Sequence, residues 1–180
     1  VVTQPEEVRR KIGFLTSELK LEDFFPPDYL YDFFSELYGI PTDRRDARKR
    51  MLFARFGIQE FAQVRVRDLS TGMKQKVSLV ISLVQDPEII IFDEPTNGLD
   101  ILTAKVVTDF LLDLKEQGKT IIISTHIFSL VEKICDRVGI IINGRMAACE
   151  DLRTLCGDKS LEDRFFEIYE AVNGEDENHD

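Results

Sequence analysis

The segment IIIFDEPTNGLD, residues 89–100, joins a strand pattern to two adjacent carboxylates. The apolar run IIIF predicts a buried β-strand, and it ends directly in Asp93 and Glu94. A carboxylate at the end of a core strand can hold Mg²⁺, usually through water, and its neighbour can orient and deprotonate an attacking water. The alternative is that two acids simply end a strand at a polar turn. The loop that follows, with Gly98 and Asp100, favours the chemical interpretation.

The composition fits one soluble domain with a proper core, since 43% of the 180 residues are hydrophobic and 31% are charged. The net charge of −10 argues against a nucleic-acid partner, because binding to a phosphate backbone is driven by a basic surface. No apolar run approaches the roughly 18 residues of a membrane span, so we expect no direct membrane insertion. The three cysteines are expected to be free thiols, and two distant histidines do not suggest a zinc site.

Strand and helix patterns alternate over the second half of the chain. Strands are predicted at EIIIF, KTIIIST and RVGIIIN, with helices over 101–117 and 127–135 between them. A closing helix is predicted over 160–172, where Ser160 and Asp163 have the spacing of a capping box. Fully apolar strands that alternate with helices favour a parallel sheet covered on both faces. We therefore expect an α/β core over about residues 88–172 and a disordered acidic tail over 173–180.

The first half of the chain is predicted to be helical after one short strand, KIGFL. Apolar residues in DFFPPDYLYDFFSELYGI recur at helical spacing, and a basic helix, DRRDARKRMLFARFGI, follows. The basic residues of that helix alternate with acids and leave a single apolar side, which favours a solvated face over RNA binding. Residues 20–85 are thus interpreted as a helical insertion in the α/β fold.

Two further segments have the composition of phosphate-binding sites. His126 ends the strand in IIISTH, and adjacent parallel strands would bring it to the same sheet edge as Glu94. A histidine that caps or fills the core is the alternative. Ser70 and Gly72 in LSTGMKQK precede an apolar helix, whose N-terminal N–H groups and dipole suit a phosphate. An ordinary serine N-cap is the simpler explanation when this match is taken alone.

Taken together, in this order and at these intervals, the three segments resemble the motifs of the ATP-binding-cassette (ABC) ATPases. The matches are Leu69–Met73 to the signature motif, Ile89–Glu94 to Walker B, Asn97–Asp100 to the D-loop and His126 to the switch histidine. VRRKIGFLTSE is similar to the entry to the Q-loop. The resemblance covers almost the whole chain and is strongest to exporter ATPases of the bacterial sodium-extrusion type.

This resemblance implies a P-loop-NTPase-like parallel sheet with an inserted helical subdomain, over residues 1–172. It implies hydrolysis of ATP with Mg²⁺ by two cassettes paired head to tail, coupled to a membrane permease through the helical subdomain. The roles implied for single residues are Asp93 on the magnesium sphere, Glu94 as catalytic base, His126 on the γ-phosphate, Asp100 at the dimer interface, and Ser70, Thr71, Gly72 and Met73 against the nucleotide of the partner cassette.

The phosphate loop of this family is not found in the sequence. The pattern G-x-x-x-x-G-K-[ST] has no match, and the Gly118-Lys119-Thr120 stretch has Asp113 in place of the first glycine and lies between a helix and a strand. It is predicted to be a turn. The later motifs are all in order and no start methionine precedes VVTQPEEVRR, which favours truncation of an opening strand–loop–helix block. The 180-residue chain alone is then expected to be inactive.

Other departures from the family pattern are smaller. Ser17 stands where most cassettes carry the Q-loop glutamine, which makes it a weak candidate for a cofactor contact. Thr71 and Met73 stand where Gly and Gln are commoner in the signature motif. We expect these changes to tune the turnover rate without abolishing it.

The leading hypothesis is the ATP-hydrolysing subunit of an export transporter, peripheral on the cytoplasmic face of the cell membrane, with a separate permease. One alternative is a non-transport ABC protein that acts on ribosomes or DNA, against which the single acidic cassette weighs. The other is a non-catalytic regulatory cassette that is naturally without a phosphate loop. The presence of Asp93, Glu94 and His126 weighs against that alternative.

Overall fold

The computed structural model describes residues 5–16 and 21–176 of the chain. Ser17 and residues 177–180 of the predicted tail lie outside this part. The chain divides into two compact units, Val1–Ser124 and Thr125–Asp180, each with its own β-sheet. Within the described ranges, no helix has both the length and the apolar character needed to cross a bilayer.

The first unit is built around a three-stranded parallel sheet. Along the chain, its elements are α1 (Pro5–Lys11), β1 (Ile12–Leu15), α2 (Pro27–Leu37), α3 (Thr42–Phe56), α4 (Thr71–Ser82), β2 (Ile89–Asp93), α5 (Ile101–Glu116) and β3 (Thr120–Ser124). The sheet order is β1-β2-β3, and Ile90 of β2 lies opposite Gly13 and Ile121. The predicted α/β fold with parallel apolar strands is confirmed for these three strands.

One face of this sheet is buried and the other is open. Leu15, Ile90 and Phe92 are 0–1% exposed, whereas Phe14 and Ile122 are 55% and 54% exposed. Because side chains alternate between faces along a strand, these two sets lie on opposite faces. The expectation that both faces are covered is therefore wrong for the described residues. An apolar strand pattern shows that the side chains favour burial. It does not predict which helices cover each face of the sheet.

The first strand, β1, lies close to the chain that follows α4. A Cβ atom on Gly13 would be 2.7 Å from both the Ser82 carbonyl oxygen and Cγ of Pro87, a separation that real Cβ atoms essentially never show. Gln85 Nε2 donates to the Ile12 carbonyl oxygen at 2.8 Å. Glycine is therefore required at this position for the backbone approach that fixes β1.

All described elements between β1 and β2 are helical. Besides α2, α3 and α4 they include two short 3₁₀ helices, Ile58–Phe61 and Val66–Asp68. Pro27 occupies the first turn of α2, where its missing N–H costs nothing, and α3 ends at Gly57 in the left-handed conformation. These local signals explain why the helices begin and end where they do.

Several basic residues of α3 form ion pairs within the first unit. Lys49 Nζ donates to Asp28 and Asp32 of α2 at 2.7 and 2.9 Å. Arg55 bonds to Asp113 of α5 at 2.5 Å, and its guanidinium lies 4.9 Å from the centroid of the Phe110 ring. The alternation of acids and bases in the sequence thus corresponds to contacts that join α3 to α2 and α5.

The second unit is a β-hairpin packed with three helices. Its elements are α6 (Phe128–Ile134), β4 (Arg137–Ile142), β5 (Arg145–Asp151), α7 (Leu152–Cys156) and α8 (Leu161–Asp176). The predicted strand β4 pairs antiparallel with β5, whereas the alternating pattern predicted a parallel sheet. The reason is the turn between them, since Asn143 and Gly144 both have positive φ, 50° and 74°, as a tight hairpin turn requires. The core of this unit contains Ile140, Ile142, Leu155 and Leu161.

The last helix, α8, is longer than predicted. Ser160 and Asp163 form the predicted capping interaction, with the Asp163 N–H donating to Ser160 Oγ at 3.0 Å. The helix then continues to Asp176, and Asn143 Nδ2 donates to Asn173 Oδ1 at 3.0 Å. Residues 173–176 of the predicted disordered tail are therefore helical. Acidic composition alone misplaced this boundary, because a packed helix can extend into a polar segment.

Candidate functional site

The two candidate carboxylates lie at the carboxyl edge of the three-stranded sheet. Asp93 is the last residue of β2 and pairs in register with Ser124, the last residue of β3. Ser124 Oγ donates to Asp93 Oδ1 at 2.5 Å, and the Glu94 N–H donates to the Ser124 carbonyl oxygen at 2.9 Å. The end of β3 thus holds the side chain of one acid and the backbone of the other.

The backbone of Glu94 has an uncommon conformation. Its φ is 48°, in the left-handed region that few non-glycine residues adopt, and its carbonyl oxygen accepts from the Asn97 N–H at 3.1 Å. Such a conformation costs about 1–3 kcal/mol and persists where surrounding contacts enforce it. Outliers of this kind cluster at functional sites. The tight turn directs the chain sharply away from β2 immediately after the strand ends.

Asp100 is the N-cap of α5. Its carboxylate accepts from the backbone N–H groups of Leu102 and Thr103 at 3.0 Å each, and from Thr103 Oγ1 at 2.7 Å. The hydroxyl bond from Thr103, followed by its backbone N–H bond, lowers the pKa of Asp100 below its ordinary value. Asp100 therefore caps the N-terminus of α5 within its own chain. Its place at a dimer interface stays a prediction.

The segment LSTGMKQK lies beside the loop that follows the carboxylates. Ser70 is the N-cap of α4, and its Oγ accepts from the Met73 N–H at 3.3 Å. A methyl group added to Gly72 would lie 3.9 Å from the Gly98 carbonyl oxygen, and one added to Gly98 would lie 3.9 Å from Thr71 Cγ2. The fold thus brings together Gly72 and Gly98, from two of the three motifs, which are 26 positions apart in the sequence (98 − 72).

Three other segments singled out in the sequence are His126, the Gly118 stretch and Ser17. His126 is exposed, follows Ser124 by two residues in the chain and belongs to the second unit. The Gly118 turn has φ 81° and leads directly into β3, which confirms that the stretch is a turn before a strand. The weak candidate Ser17 lies outside the described residues.

Sequence reasoning missed two polar residues in this region. Ser124 is the polar end of an otherwise apolar strand, with the same parity as Asp93. Thr96 is 8% exposed, and its Oγ1 has no hydrogen-bond partner within residues 5–16 and 21–176. No sequence signal marks Thr96, because burial of one hydroxyl in a loop depends on the packing of distant elements.

The donor set at the sheet edge fits a hard cation better than a transition metal. Carboxylate and hydroxyl oxygens are the ligands that Mg²⁺ prefers, and Mg²⁺ commonly uses one or two protein carboxylates together with water and substrate phosphates. Among the described residues, no group of three His, Cys, Asp or Glu side chains forms a metal-holding cluster. This site therefore suits a metal that arrives with phosphate oxygens.

Comparison with known proteins settles the family. The family model for ABC transporters matches residues 2–97 of the chain. The chain belongs to the ABC transporter family. Membership implies nucleotide binding, and it accounts for the motif order found in the sequence.

Relatives of the chain are ATP-binding proteins of ABC transporters. The chain is 38% identical over 163 residues to the ABC transporter ATP-binding protein NatA of Bacillus subtilis, covering 90% of this chain and 66% of NatA. It is 36% identical over 118 residues to a fluoroquinolones export ATP-binding protein of Mycobacterium tuberculosis, covering 66% of this chain and 38% of that protein. The chain thus spans two thirds or less of the length of these relatives.

A solved structure supports the same assignment for the fold. The chain is similar to a structure described as the ATP-binding subunit of an ABC transporter, with a TM-score of 0.87 and 27% identity. The match covers 93% of this chain and 72% of the other. The α/β architecture is therefore that of an ABC ATP-binding subunit.

Proposed function

We propose that this chain is part of the ATP-binding subunit of an export-type ABC transporter, which couples hydrolysis of MgATP to transport through a membrane permease. The observation that carries the proposal is the Asp93–Glu94 turn at the carboxyl edge of the sheet, held by Ser124. Open α/β sheets bind ligands at this edge. The export ATP-binding proteins among the relatives support the assignment to an export-type transporter.

The two carboxylates take different parts in the proposed reaction. Asp93 would hold Mg²⁺, and the metal would neutralise charge on the phosphate oxygens. Glu94 orients the attacking water and accepts its proton. The left-handed backbone of Glu94 forms a turn directly after Asp93, and in this proposal the two neighbouring acids act on different atoms.

The remaining motif residues act between two cassettes in this proposal. Ser70 and Gly72, with Thr71 and Met73, contact the γ-phosphate bound by a partner cassette. The support is the start of α4, whose N–H groups and positive dipole favour an anion, beside the loop that leads to Asp100. His126 contacts the γ-phosphate within its own cassette. Because no phosphate-loop pattern occurs in the 180 residues, we expect this chain alone to bind MgATP weakly.

The test of hydrolysis is Glu94→Gln in the native polypeptide isolated from its source. Loss of the general base should lower ATP turnover by about 10²-fold or more while ATP binding is kept and a closed dimer accumulates. Glu88→Gln is the matched control, because Glu88 is an exposed glutamate at the opposite end of β2. Wild-type turnover in Glu94→Gln would remove Glu94 from this role. A native polypeptide without any ATP turnover would favour the regulatory cassette.

The proposed permease contact is an apolar stripe along α2 and the residues just before it, formed by Phe25, Tyr29, Phe33 and Leu37. These side chains repeat every four residues and are 40–63% exposed. The Phe25 and Tyr29 rings stack at 4.5 Å between centroids, and Tyr29 and Phe33 at 6.3 Å. Contiguous exposed apolar surface of this kind is typical of an interaction site.

The charges around the stripe favour a basic partner. Exposed acids lie before the stripe and within it in sequence, at Glu22 and Glu36, and the chain carries a net charge of −10. Cytoplasmic loops of membrane proteins carry an excess of Lys and Arg. A cavity of about 470 Å³ borders α2 at Phe34 and is also lined by Glu22 and Arg9. A basic, amphipathic cytoplasmic segment of the permease therefore fits this surface, which would place the protein on the cytoplasmic membrane face.

Membrane retention tests the stripe. In vesicles from the source cell, the double variant Tyr29→Ser with Phe33→Ser should wash off the membrane while its unfolding midpoint stays near wild type. Ile141→Ser is the control, because Ile141 is an exposed apolar residue outside the stripe, at 65% exposure. Equal retention of all three proteins would rule out the stripe as the contact.

A further inference from the structure

Ser124 is a polar residue at the end of an otherwise apolar strand. It follows three isoleucines in β3 and lies on the same face of the sheet as Thr120 and Ile122. That parity, together with the parallel register, places its side chain next to that of Asp93. A valine or isoleucine would serve strand formation better than serine at this position.

The direction of the side-chain bond follows from chemistry. An ionised carboxylate only accepts hydrogen bonds, so the Ser124 hydroxyl donates its proton to Asp93 Oδ1, at 2.5 Å. The bond is charge-assisted and therefore stronger than a neutral one. It restricts rotation of the Asp93 side chain before any ligand is present.

The backbone bond is separate from the side-chain bond. The Ser124 carbonyl oxygen accepts from the Glu94 N–H at 2.9 Å, and any residue at position 124 would provide that acceptor. Replacement of the serine side chain therefore removes one bond and leaves the other. This separation allows the role of the hydroxyl to be measured by itself.

We infer that Ser124 is a positioning residue for hydrolysis, which fixes the Asp93 carboxylate in the orientation that holds Mg²⁺. The part of this inference that concerns Mg²⁺ rests on the proposed function. The part that concerns the orientation of Asp93 is independent of that function. Partners that orient metal-binding side chains commonly change metal affinity or activity by about 10- to 100-fold when they are removed. Ser124 itself touches neither substrate nor reacting water in this role.

The first experiment needs no metal or nucleotide. In the 180-residue chain, three-bond NMR couplings to Cγ of Asp93 report its χ1 rotamer. We expect one dominant rotamer in the wild type and in Ser124→Thr, which keeps the hydroxyl, and averaged couplings in Ser124→Ala. Exchange of the Glu94 amide should be unchanged in all three. Thr120→Ala, which removes a hydroxyl from the same strand face far from the carboxylates, should match the wild type. Unchanged couplings in Ser124→Ala, or averaging in Ser124→Thr, would overturn the inference.

The second experiment uses ATP turnover of the native polypeptide at increasing Mg²⁺. Ser124→Ala should need about 10-fold more Mg²⁺ for half-maximal turnover and regain most of its rate at saturating Mg²⁺. Ser124→Thr and Thr120→Ala should follow the wild-type curve. An equal loss of rate in Ser124→Ala at every Mg²⁺ concentration would contradict a role through the metal. If the wild-type polypeptide does not hydrolyse ATP, the proposed function fails, while the coupling measurement still decides the orientation of Asp93.

Discussion

The two faces of the three-stranded sheet differ in burial although apolar residues line both. Ile90 and Phe92 are 0% and 1% exposed, while Ile122, on the opposite face and in the neighbouring strand, is 54% exposed. The candidate site lies on the open face of the sheet. Asp93 and Ser124 have the parity of Ile122, and they pair in register at the ends of their strands. The buried face supplies stability, and the open face ends in the polar groups that carry the proposed chemistry.

The largest expected difference between the faces is in stability. Ile90→Ala should lower the free energy of unfolding by about 2–5 kcal/mol, because it removes buried methyl groups and leaves a cavity. Ile122→Ala should cost less than about 1 kcal/mol, since much of that side chain already contacts water. Urea unfolding of the two matched variants measures both values. Equal losses would show that Ile122 is covered in solution.

A second variant tests the close approach beneath the buried face. Gly13→Ala should destabilise the protein by about 1–3 kcal/mol, because the new methyl group would overlap the Ser82 carbonyl oxygen and Pro87. Gly174→Ala in α8 is the control, since nothing lies within 4 Å of an added methyl group there. That change should be neutral or stabilise by up to about 1 kcal/mol. Thermal unfolding of both variants measures the difference in stability between them. A Gly13→Ala variant as stable as wild type would contradict the close backbone approach at Gly13.

The smallest expected effect concerns charge at the opposite edge of the sheet. Asp86 precedes β2 and pairs with Lys119, at 2.9 Å, and with Arg48, at 3.1 Å. Burial acts to raise the pKa of Asp86, but the Lys119 hydrogen bond and the Arg48 charge outweigh it and lower the pKa below its usual value. The pairs therefore stabilise the fold above about pH 4 and lose this effect as the pH falls through the lowered pKa.

Asp86→Asn isolates this effect, because asparagine tolerates the positive φ of 54° at this position. Above about pH 4 the variant should be less stable than wild type by less than about 1 kcal/mol, since the pairs are partly exposed. The difference should vanish in more acidic solution. Stability curves from pH 2 to 7 measure it, and a gap that persists unchanged at pH 2 would refute the electrostatic account.

The sequence predicted the elements best where a pattern is long and local. The run IIIF, the capping box at Ser160 and Asp163, and the turn at Gly118 all appear in the structure, because each depends on neighbours within a few residues. The motifs around Glu94 also indicated the family, since their order and spacing are specific.

The sequence predictions failed at one local turn and wherever the outcome depends on residues far apart in the chain. The pairing of β4 with β5 followed from Asn143 and Gly144, a local signal that was outweighed by the alternating strand and helix pattern. The hydroxyl of Ser124 acquires its importance only from the register that pairs it with Asp93, 31 residues earlier in the chain. The exposure of one face of the sheet could likewise not be predicted from the sequence, because it depends on which helices pack against that face.

The cap at Asp100 makes one part of this molecule directly observable by spectroscopy. Its carboxylate is already occupied by two amides and one hydroxyl, all from Leu102 and Thr103. Any partner or nucleotide that recruits this carboxylate must compete with these donors. The amide resonances of those two residues are therefore natural sensors, which would shift on contact without any label at the interface itself.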